Sequence, residues 1–136
     1  MIASRDNTMS SAPKPRPKYY DLSLAHLPPP GLVSIFHRVS GLLLFFPILP
    51  GLLYAMQSAL GSEAGYAEWQ AFFARPIVKL ALLALVWLYA HHFWAGWRYL
   101  LLDLHYGVAK APARKSAGAV LVLGLLTTAV VGAWIW

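Results

Sequence analysis

The stretch that decides the fold is SAGAVLVLGLLTTAVVGAWIW, residues 116–136, which carries no formal charge. About 20 apolar residues in a helix cross the hydrocarbon core of a bilayer, so this stretch is long enough to span a membrane. Residues 39–62 and residues 80–97 also lack Asp, Glu, Lys and Arg. We therefore predict an all-α integral membrane protein with three transmembrane helices. The spans are expected at about residues 32–59, 77–101 and 115–136.

The composition agrees with a membrane protein. Of the 136 residues 59% are hydrophobic and 12% are charged, whereas a soluble domain carries about 25% charged residues. The absence of cysteine excludes disulfides, thiolate metal sites and Fe–S ligation within this chain. The net charge of +6 would suit nucleic acid, but the basic residues flank the spans, so we expect no nucleic-acid partner.

The distribution of Lys and Arg predicts the orientation. Basic residues crowd the N-terminal tail and residues 98–115, whereas Arg75 and Lys79 between the first two spans are opposed by Glu63 and Glu68. Cytoplasmic loops carry the excess of Lys and Arg. We therefore expect a cytoplasmic N-terminus and an external C-terminus.

Residues 1–30 are expected to form an extended cytoplasmic arm, and residues 31–136 the transmembrane domain. The arm is polar and rich in proline, and Leu27–Gly31 is predicted to be a non-helical lead-in.

Beyond the lead-in, Pro47 and Pro50 are predicted to distort the first span. Between the first two spans, residues 61–65 are predicted to form a turn and residues 66–73 a short interfacial helix.

Ionisable side chains lie near one end of two spans. His37 and Arg38 open the first apolar run, and His91, His92 and Arg98 close the second. Such residues are costly in a bilayer and are functional by default. At helical spacing, one face of the second span carries His92, Gly96, Tyr99 and Asp103, and the adjacent face carries His91 and Arg98. An imidazole in the membrane, with basic groups nearer the surface and a glycine that clears space for a flat group or a close helix, would suit a haem.

Two motifs at these positions make the chain recognisable. It resembles the family of cytochrome b556 membrane subunits of succinate dehydrogenase, respiratory complex II. After Arg16-Pro17, Asp21-Leu22 and Pro28, the first motif is Ser-Ile-Phe-His-Arg-Val-Ser-Gly at residues 34–41. The second comprises His92, Gly96, Arg98 and Asp103. The likeness covers the whole membrane domain.

The resemblance implies roles for the matched positions. His92 would be the axial ligand of the iron of haem b, with His37 and Arg38 as neighbours of the haem propionates. Ser34 and Arg38 would form part of the ubiquinone site. Tyr99 stands where the family usually has His, and His105 where a glycine often follows the aspartate, so neither is given a haem role.

The resemblance also implies an assembly. The chain would be a non-catalytic multi-pass subunit in the bacterial inner membrane. It would pack in a bundle with a second hydrophobic anchor subunit and share the haem with it. The Fe–S subunit would pass electrons from the flavoprotein subunit, where succinate is oxidised, to quinone.

Other interpretations of single residues stay open. Arg38 and Arg98 could be interfacial anchors, Ser34 a helix cap and His91 an interhelical hydrogen-bonding residue. For the whole chain, the alternatives are an anchor subunit of fumarate reductase or of another b-type cytochrome complex, or a small transporter subunit. A transporter should show inverted repeats or broken helices at mid-membrane, and here the polar residues cluster at one end.

Overall fold

The computed structural model describes residues 26–136, and all the regular secondary structure in that range is helical. Three of its helical rods are long and apolar enough to cross a membrane: Pro29–Gly61, Pro76–Asp103 and Lys110–Ile135. The predicted all-α fold with three candidate spans is therefore confirmed. The predicted arm over residues 1–25, with Arg16-Pro17 and Asp21-Leu22, lies outside the described residues. Orientation in the membrane stays a prediction.

The first rod begins earlier than its proline content suggested. Helix α1 covers Pro29–Leu43, with Pro28 as its N-cap residue and proline in its first turn. The prediction that Leu27–Gly31 is non-helical was therefore wrong from Pro29 onward. The first N–H groups of a helix have no intrahelical acceptor, so proline loses no hydrogen bond there, and its fixed φ favours the helix.

Pro47 distorts this rod through a π turn. Residues Leu44–Ile48 form the π turn, and helix α2 follows over Leu49–Gly61. The Leu49 N–H donates to the Leu44 carbonyl, five residues back. Proline cannot donate and its ring crowds the carbonyl four residues back, which the wider turn accommodates. The predicted distortion thus takes the form of one inserted residue.

The link to the second span is almost entirely helical. Helix α3 covers Glu63–Phe73 and is longer than the predicted interfacial helix. Only Ser62 separates it from α2, so the predicted turn over residues 61–65 was wrong except at Ser62. The Ser62 hydroxyl accepts a hydrogen bond from the Gly65 N–H at 3.0 Å. A Cβ on Gly65 would collide with the Ser58 carbonyl oxygen, so glycine lets α3 fold back onto α2.

Helices α4 (Pro76–Asp103) and α5 (Lys110–Ile135) form an antiparallel hairpin. Helix α4 ends in a Schellman motif, in which the His105 N–H donates to the Leu102 carbonyl at 2.9 Å and the Tyr106 N–H to the Leu101 carbonyl at 3.0 Å. His105 has a φ of 64°. A left-handed backbone favours glycine, so a histidine at this position is strained.

The three spans pack through small residues. The buried apolar cluster consists of Val33, Ala95, Ala117 and Val120. Large side chains point outward: Phe45 is 63% exposed and Val130 is 71% exposed. Close packing of small residues drives helix association in lipid, whereas large apolar residues can face lipid or another subunit. Packing against a second subunit stays a prediction.

Candidate functional site

Two reciprocal histidine–glycine contacts join α1 to α4. The His37 and His92 rings stack with centroids 4.3 Å apart and planes 13° apart. A Cβ on Gly41 would lie 3.0 Å from His92 Cε1, and one on Gly96 would lie 3.6 Å from His37 Nε2. Each glycine therefore makes room for the histidine of the other helix. Gly96 was predicted to clear space for a flat group or for a close helix. In the structure it accommodates the close helix α1.

Hydrogen bonds from α1 determine the tautomer of His92. The Ser40 hydroxyl donates to the His37 carbonyl at 2.9 Å, so its oxygen remains free to accept. His92 Nδ1 lies 3.0 Å from that oxygen and 3.2 Å from the His37 carbonyl oxygen. A carbonyl only accepts, so Nδ1 carries the proton and donates to both. The lone pair of a neutral His92 is then on Nε2, to which no described residue hydrogen-bonds.

His92 also borders an apolar groove between the three spans, which we call the mid-span groove. Its volume is about 860 Å³, within the range of cofactor and ligand pockets. Its walls come from α1, the π turn and α2, from α4, and from α5. The lining residues are Gly41, Leu44, Phe45, Ile48, Leu49, Leu52, Leu85, Val86, Tyr89, Ala90, His92, Thr127 and Val131. The only ring nitrogens in this lining belong to His92.

His91 occupies a different environment from its neighbour. It is 1% exposed and packs against the rings of Phe36 and Trp87, at centroid distances of 5.8 and 5.6 Å. Its backbone faces Gly124 of α5. The Val33 backbone lies near enough to interact with the ring, but neither ring nitrogen reaches a hydrogen bond of ordinary geometry with a described residue. The ring fills the junction of three helices, with the Val33 backbone of α1 beside it, and an interhelical hydrogen bond of His91 stays a prediction.

Arg98 connects α4 to α5. It is 6% exposed. Its Nε donates to the Ser116 hydroxyl at 3.0 Å and its Nη2 to the Ala113 carbonyl at 3.3 Å. The alternative of an interfacial anchor that extends to the surface is therefore wrong for Arg98. The guanidinium lies on the α5 side of α4, away from the His37–His92 stack.

The predicted quinone residues lie on the outer part of α1. Ser34 is half-buried and Arg38 is exposed, and neither side chain hydrogen-bonds to a described residue. Helix α1 begins five residues before Ser34, so the alternative of a capping role for this serine is wrong. Neither residue lines the mid-span groove.

Tyr99 contributes packing to the same helix contact. Its ring lies 5.1 Å from that of His37 and 5.4 Å from the guanidinium carbon of Arg98. Its hydroxyl is buried and has no hydrogen-bond partner among the described residues.

Ser40 is the functional candidate that the sequence argument missed. It is 1% exposed and holds Nδ1 of His92. A signal was present, since Ser40 lies three residues after His37 and therefore on a neighbouring part of the same helix face. The spacing could not show that this face meets His92.

The donor set suits a cofactor with its own metal better than a free ion. Within residues 26–136 there is no group of three or more His, Cys, Asp or Glu side chains that could hold a metal ion. A single imidazole beside an apolar groove, with its Nδ1 hydrogen-bonded to fixed acceptors, has the environment typical of an axial haem ligand.

Comparisons with known proteins agree with this environment. Residues 12–131 match the family model described as succinate dehydrogenase/fumarate reductase transmembrane subunit. The chain is also similar to the succinate dehydrogenase cytochrome b556 subunit of Coxiella burnetii (strain RSA 493 / Nine Mile phase I). The two are 34% identical over 122 residues, which cover 89% of this chain and 97% of the relative.

Proposed function

The chain belongs to the succinate dehydrogenase/fumarate reductase transmembrane subunit family, and from this premise we propose that it is a haem b-binding anchor subunit of a succinate:quinone oxidoreductase. The similarity to a cytochrome b556 subunit over nearly the whole length of both chains supports the succinate dehydrogenase branch. Family membership and three candidate spans support a multi-pass membrane subunit. The ionisable residues His37, Arg38, His92 and Arg98 lie near one end of two spans, which disfavours a polar path across the membrane and with it the transporter alternative.

The observation that carries the haem proposal is the hydrogen bonding of His92 Nδ1 to α1. Its Nδ1 donates to Ser40 and to the His37 carbonyl, which leaves the lone pair on Nε2, and His92 lines the mid-span groove. Metal-ligating histidines almost always donate their second ring nitrogen in this way. We assign His92 as the axial ligand, and the apolar lining of the groove as the surface that holds one side of the macrocycle. When bound, haem supplies a one-electron redox centre.

His37 and Arg38 are assigned to the propionates. The ring nitrogens of His37 hydrogen-bond to no described residue, although its ring is fixed by stacking on His92. Arg38 is the next residue and its guanidinium is exposed. Both groups can donate to carboxylates, and a charge-assisted bond of this kind is stronger than a neutral one.

Ser34 and Arg38 are assigned to the quinone. They lie one helical turn apart on α1, and both have unused donors. Neither residue lines the mid-span groove, and we propose that the remaining walls of a quinone pocket come from other subunits. The proposed partners are a second hydrophobic anchor, the Fe–S subunit that delivers electrons and the flavoprotein subunit that oxidises succinate. The proposed location is the bacterial inner membrane, with the N-terminus in the cytoplasm.

The test compares His92→Ala with His91→Ala in the assembled complex. The two histidines are adjacent, so their side chains diverge by about 100° around the helix. His92→Ala should remove or change the reduced-minus-oxidised b-type spectrum because the axial imidazole is lost. His91→Ala should leave the absorption bands largely in place, because His91 faces the packed junction and not the groove.

The matched substitutions make the result decisive. Loss of the spectrum in His91→Ala alone would refute the assignment of His92. An unchanged spectrum in both variants would mean that the haem iron is bound elsewhere. The subunits that copurify with the chain, identified in the same preparation, test the proposed complex separately.

A further inference from the structure

A second cavity opens between α4 and α5, on the side of α4 that carries Arg98. It lies near the joined ends of the two helices and has a volume of about 470 Å³. Its walls are mostly apolar and include Trp97, Leu101, Val120 and Leu123. The lining also contains Arg98 of α4 and Ser116 of α5, which are hydrogen-bonded to each other.

Among residues 26–136, no carboxylate neutralises the buried positive charge of Arg98. Both of its hydrogen-bond acceptors, the Ser116 hydroxyl and the Ala113 carbonyl, are uncharged. Its other contact is the Tyr99 ring. Asp103, the nearest carboxylate along the chain, makes no ion pair with it. A buried charge is costly unless it is paired, and guanidinium has five N–H donors, of which these bonds use two. The other three N–H donors can bind an anion.

Surface charge around the cavity also favours an anion. Lys110, Arg114 and Lys115 lie in the first two turns of α5 and are exposed. The loop between α4 and α5 contains no Asp or Glu after Asp103. The potential at this end of the hairpin is therefore positive, and a negatively charged ligand is attracted before it reaches Arg98.

The shape of the cavity points to an amphiphile. Arg98 lies five residues, roughly 7.5 Å, from the end of α4, so the charged part of the cavity is near the joined ends of the two helices. Val120 and Leu123 lie further along α5, toward the middle of the span. A ligand that fits both the charged end and the apolar end of the cavity has one negative charge at the helix ends and a hydrocarbon chain that extends inward.

We propose that this cavity binds one anionic phospholipid, with its phosphate at Arg98 and Ser116 and an acyl chain along Trp97, Leu101, Val120 and Leu123. The phosphate neutralises the buried guanidinium and takes its remaining N–H donors. The net negative charge distinguishes this ligand from a zwitterionic lipid, which brings a compensating cation. The lipid joins α4 to α5 at the end opposite the contact between Lys79 and the Ile135 carbonyl. This site does not depend on the proposed haem site.

The experiment uses the assembled complex in nanodiscs made of phosphatidylglycerol or of phosphatidylcholine. After gentle transfer to detergent, the lipids that remain bound are counted per complex by native mass spectrometry. Arg98→Gln removes the charge. Ala119→Trp fills the cavity from its exposed wall and keeps the hydrogen bonds of Arg98. Arg75→Gln is the matched control, since it removes one exposed positive charge at the opposite end of α4 and lines no part of the cavity.

The number of lipids retained should depend both on the charge of the lipid and on the variant. The wild type and Arg75→Gln should retain one phosphatidylglycerol more per copy of this chain than Arg98→Gln and Ala119→Trp retain. Phosphatidylcholine should be retained equally by all four. If Arg98→Gln fails to assemble, Ala119→Trp decides the question.

Three outcomes would overturn the proposal. The first is equal retention of phosphatidylglycerol by the wild type and Ala119→Trp. The second is retention of phosphatidylcholine to the same extent as phosphatidylglycerol in the wild type. The third is a carboxylate of a partner subunit cross-linked next to Arg98 in a complex that holds no additional lipid.

Discussion

Ser40→Ala tests whether the hydrogen bond to His92 Nδ1 tunes a bound haem. The substitution removes one hydroxyl from a position that is 1% exposed and leaves the backbone of α1 unchanged. His92 Nδ1 loses the acceptor at 3.0 Å and keeps the His37 carbonyl at 3.2 Å. That carbonyl also loses the hydrogen bond that it accepts from Ser40 at 2.9 Å, so it becomes a better acceptor for Nδ1. The substitution therefore keeps the His92 ligand and weakens the hydrogen bonding of its Nδ1.

The geometry sets the size of the expected effect. Loss of a hydrogen-bond partner of a metal-ligating histidine costs about 10- to 100-fold in affinity, or about 1.4–2.8 kcal/mol. Because one acceptor remains, we expect the lower end, a loss of about tenfold in haem affinity. With one acceptor fewer at Nδ1, the His92 imidazole is a less basic ligand. A less basic ligand stabilises ferric iron less. If the loss falls on the ferric form alone, the midpoint potential rises by about 59 mV for a one-electron couple.

The assay is a redox titration of the b-type absorption band in the purified complex, with haem content measured on the same samples. Ser34→Ala is the matched control, because it makes the same chemical change on the same helix at a serine without a hydrogen bond to a described residue. It should preserve haem content and midpoint potential while it lowers quinone reduction. An unchanged or lowered potential in Ser40→Ala, with haem fully retained, would refute the role assigned to the Ser40 hydroxyl.

Three further predictions follow from particular contacts. Arg38→Leu should depress succinate–quinone activity at least tenfold more than succinate oxidation by a soluble dye that accepts electrons upstream; equal losses would indicate failed assembly. Pro47→Ala should restore a regular helix in place of the π turn and rotate the residues beyond it by about 100° relative to Gly41, so the haem content per complex should fall; a haem content equal to the wild type would contradict a role of the π turn in shaping the groove. His105→Gly should raise thermal stability of the complex by up to about 1 kcal/mol, because it relieves a φ of 64° at the end of α4, and a decrease in the melting temperature would show that the histidine side chain contributes more than the strain costs.

The sequence predicted the parts of the fold that depend on single-helix periodicity. Charge-free runs of sufficient length identify spans because lipid tolerates few charges, and the three rods lie where those runs are. The face that carries His92, Gly96 and Tyr99 could be derived because residues three, four and seven apart share a side of a helix. Both Gly96 and Tyr99 do lie against His37.

Features that depend on the meeting of two helices could not be derived in this way. Periodicity places Ser40 on a face of α1, but the partner of that face depends on the crossing of α1 and α4. Arg98 shows the same limit, since its distance from the helix end suggested a surface anchor, whereas Ser116 on α5 supplies a buried acceptor. The helical start at Pro29 was missed for a local reason: proline was treated as a helix breaker where the first turn requires no N–H donor.

The geometry of α1 and α4 also bears on why such a subunit would need a second anchor. Within the described residues, only His92 brings ring nitrogens to the mid-span groove, and its neighbour His91 is held in the three-helix junction by Phe36 and Trp87. His37 is the other imidazole at this depth, but it lies flat against His92 at 4.3 Å, so the two rings cannot approach one iron from opposite sides. A haem held by two axial imidazoles therefore requires its second ligand from another chain. The exposed Phe45 on the wall of the groove gives that chain an apolar surface on which to pack.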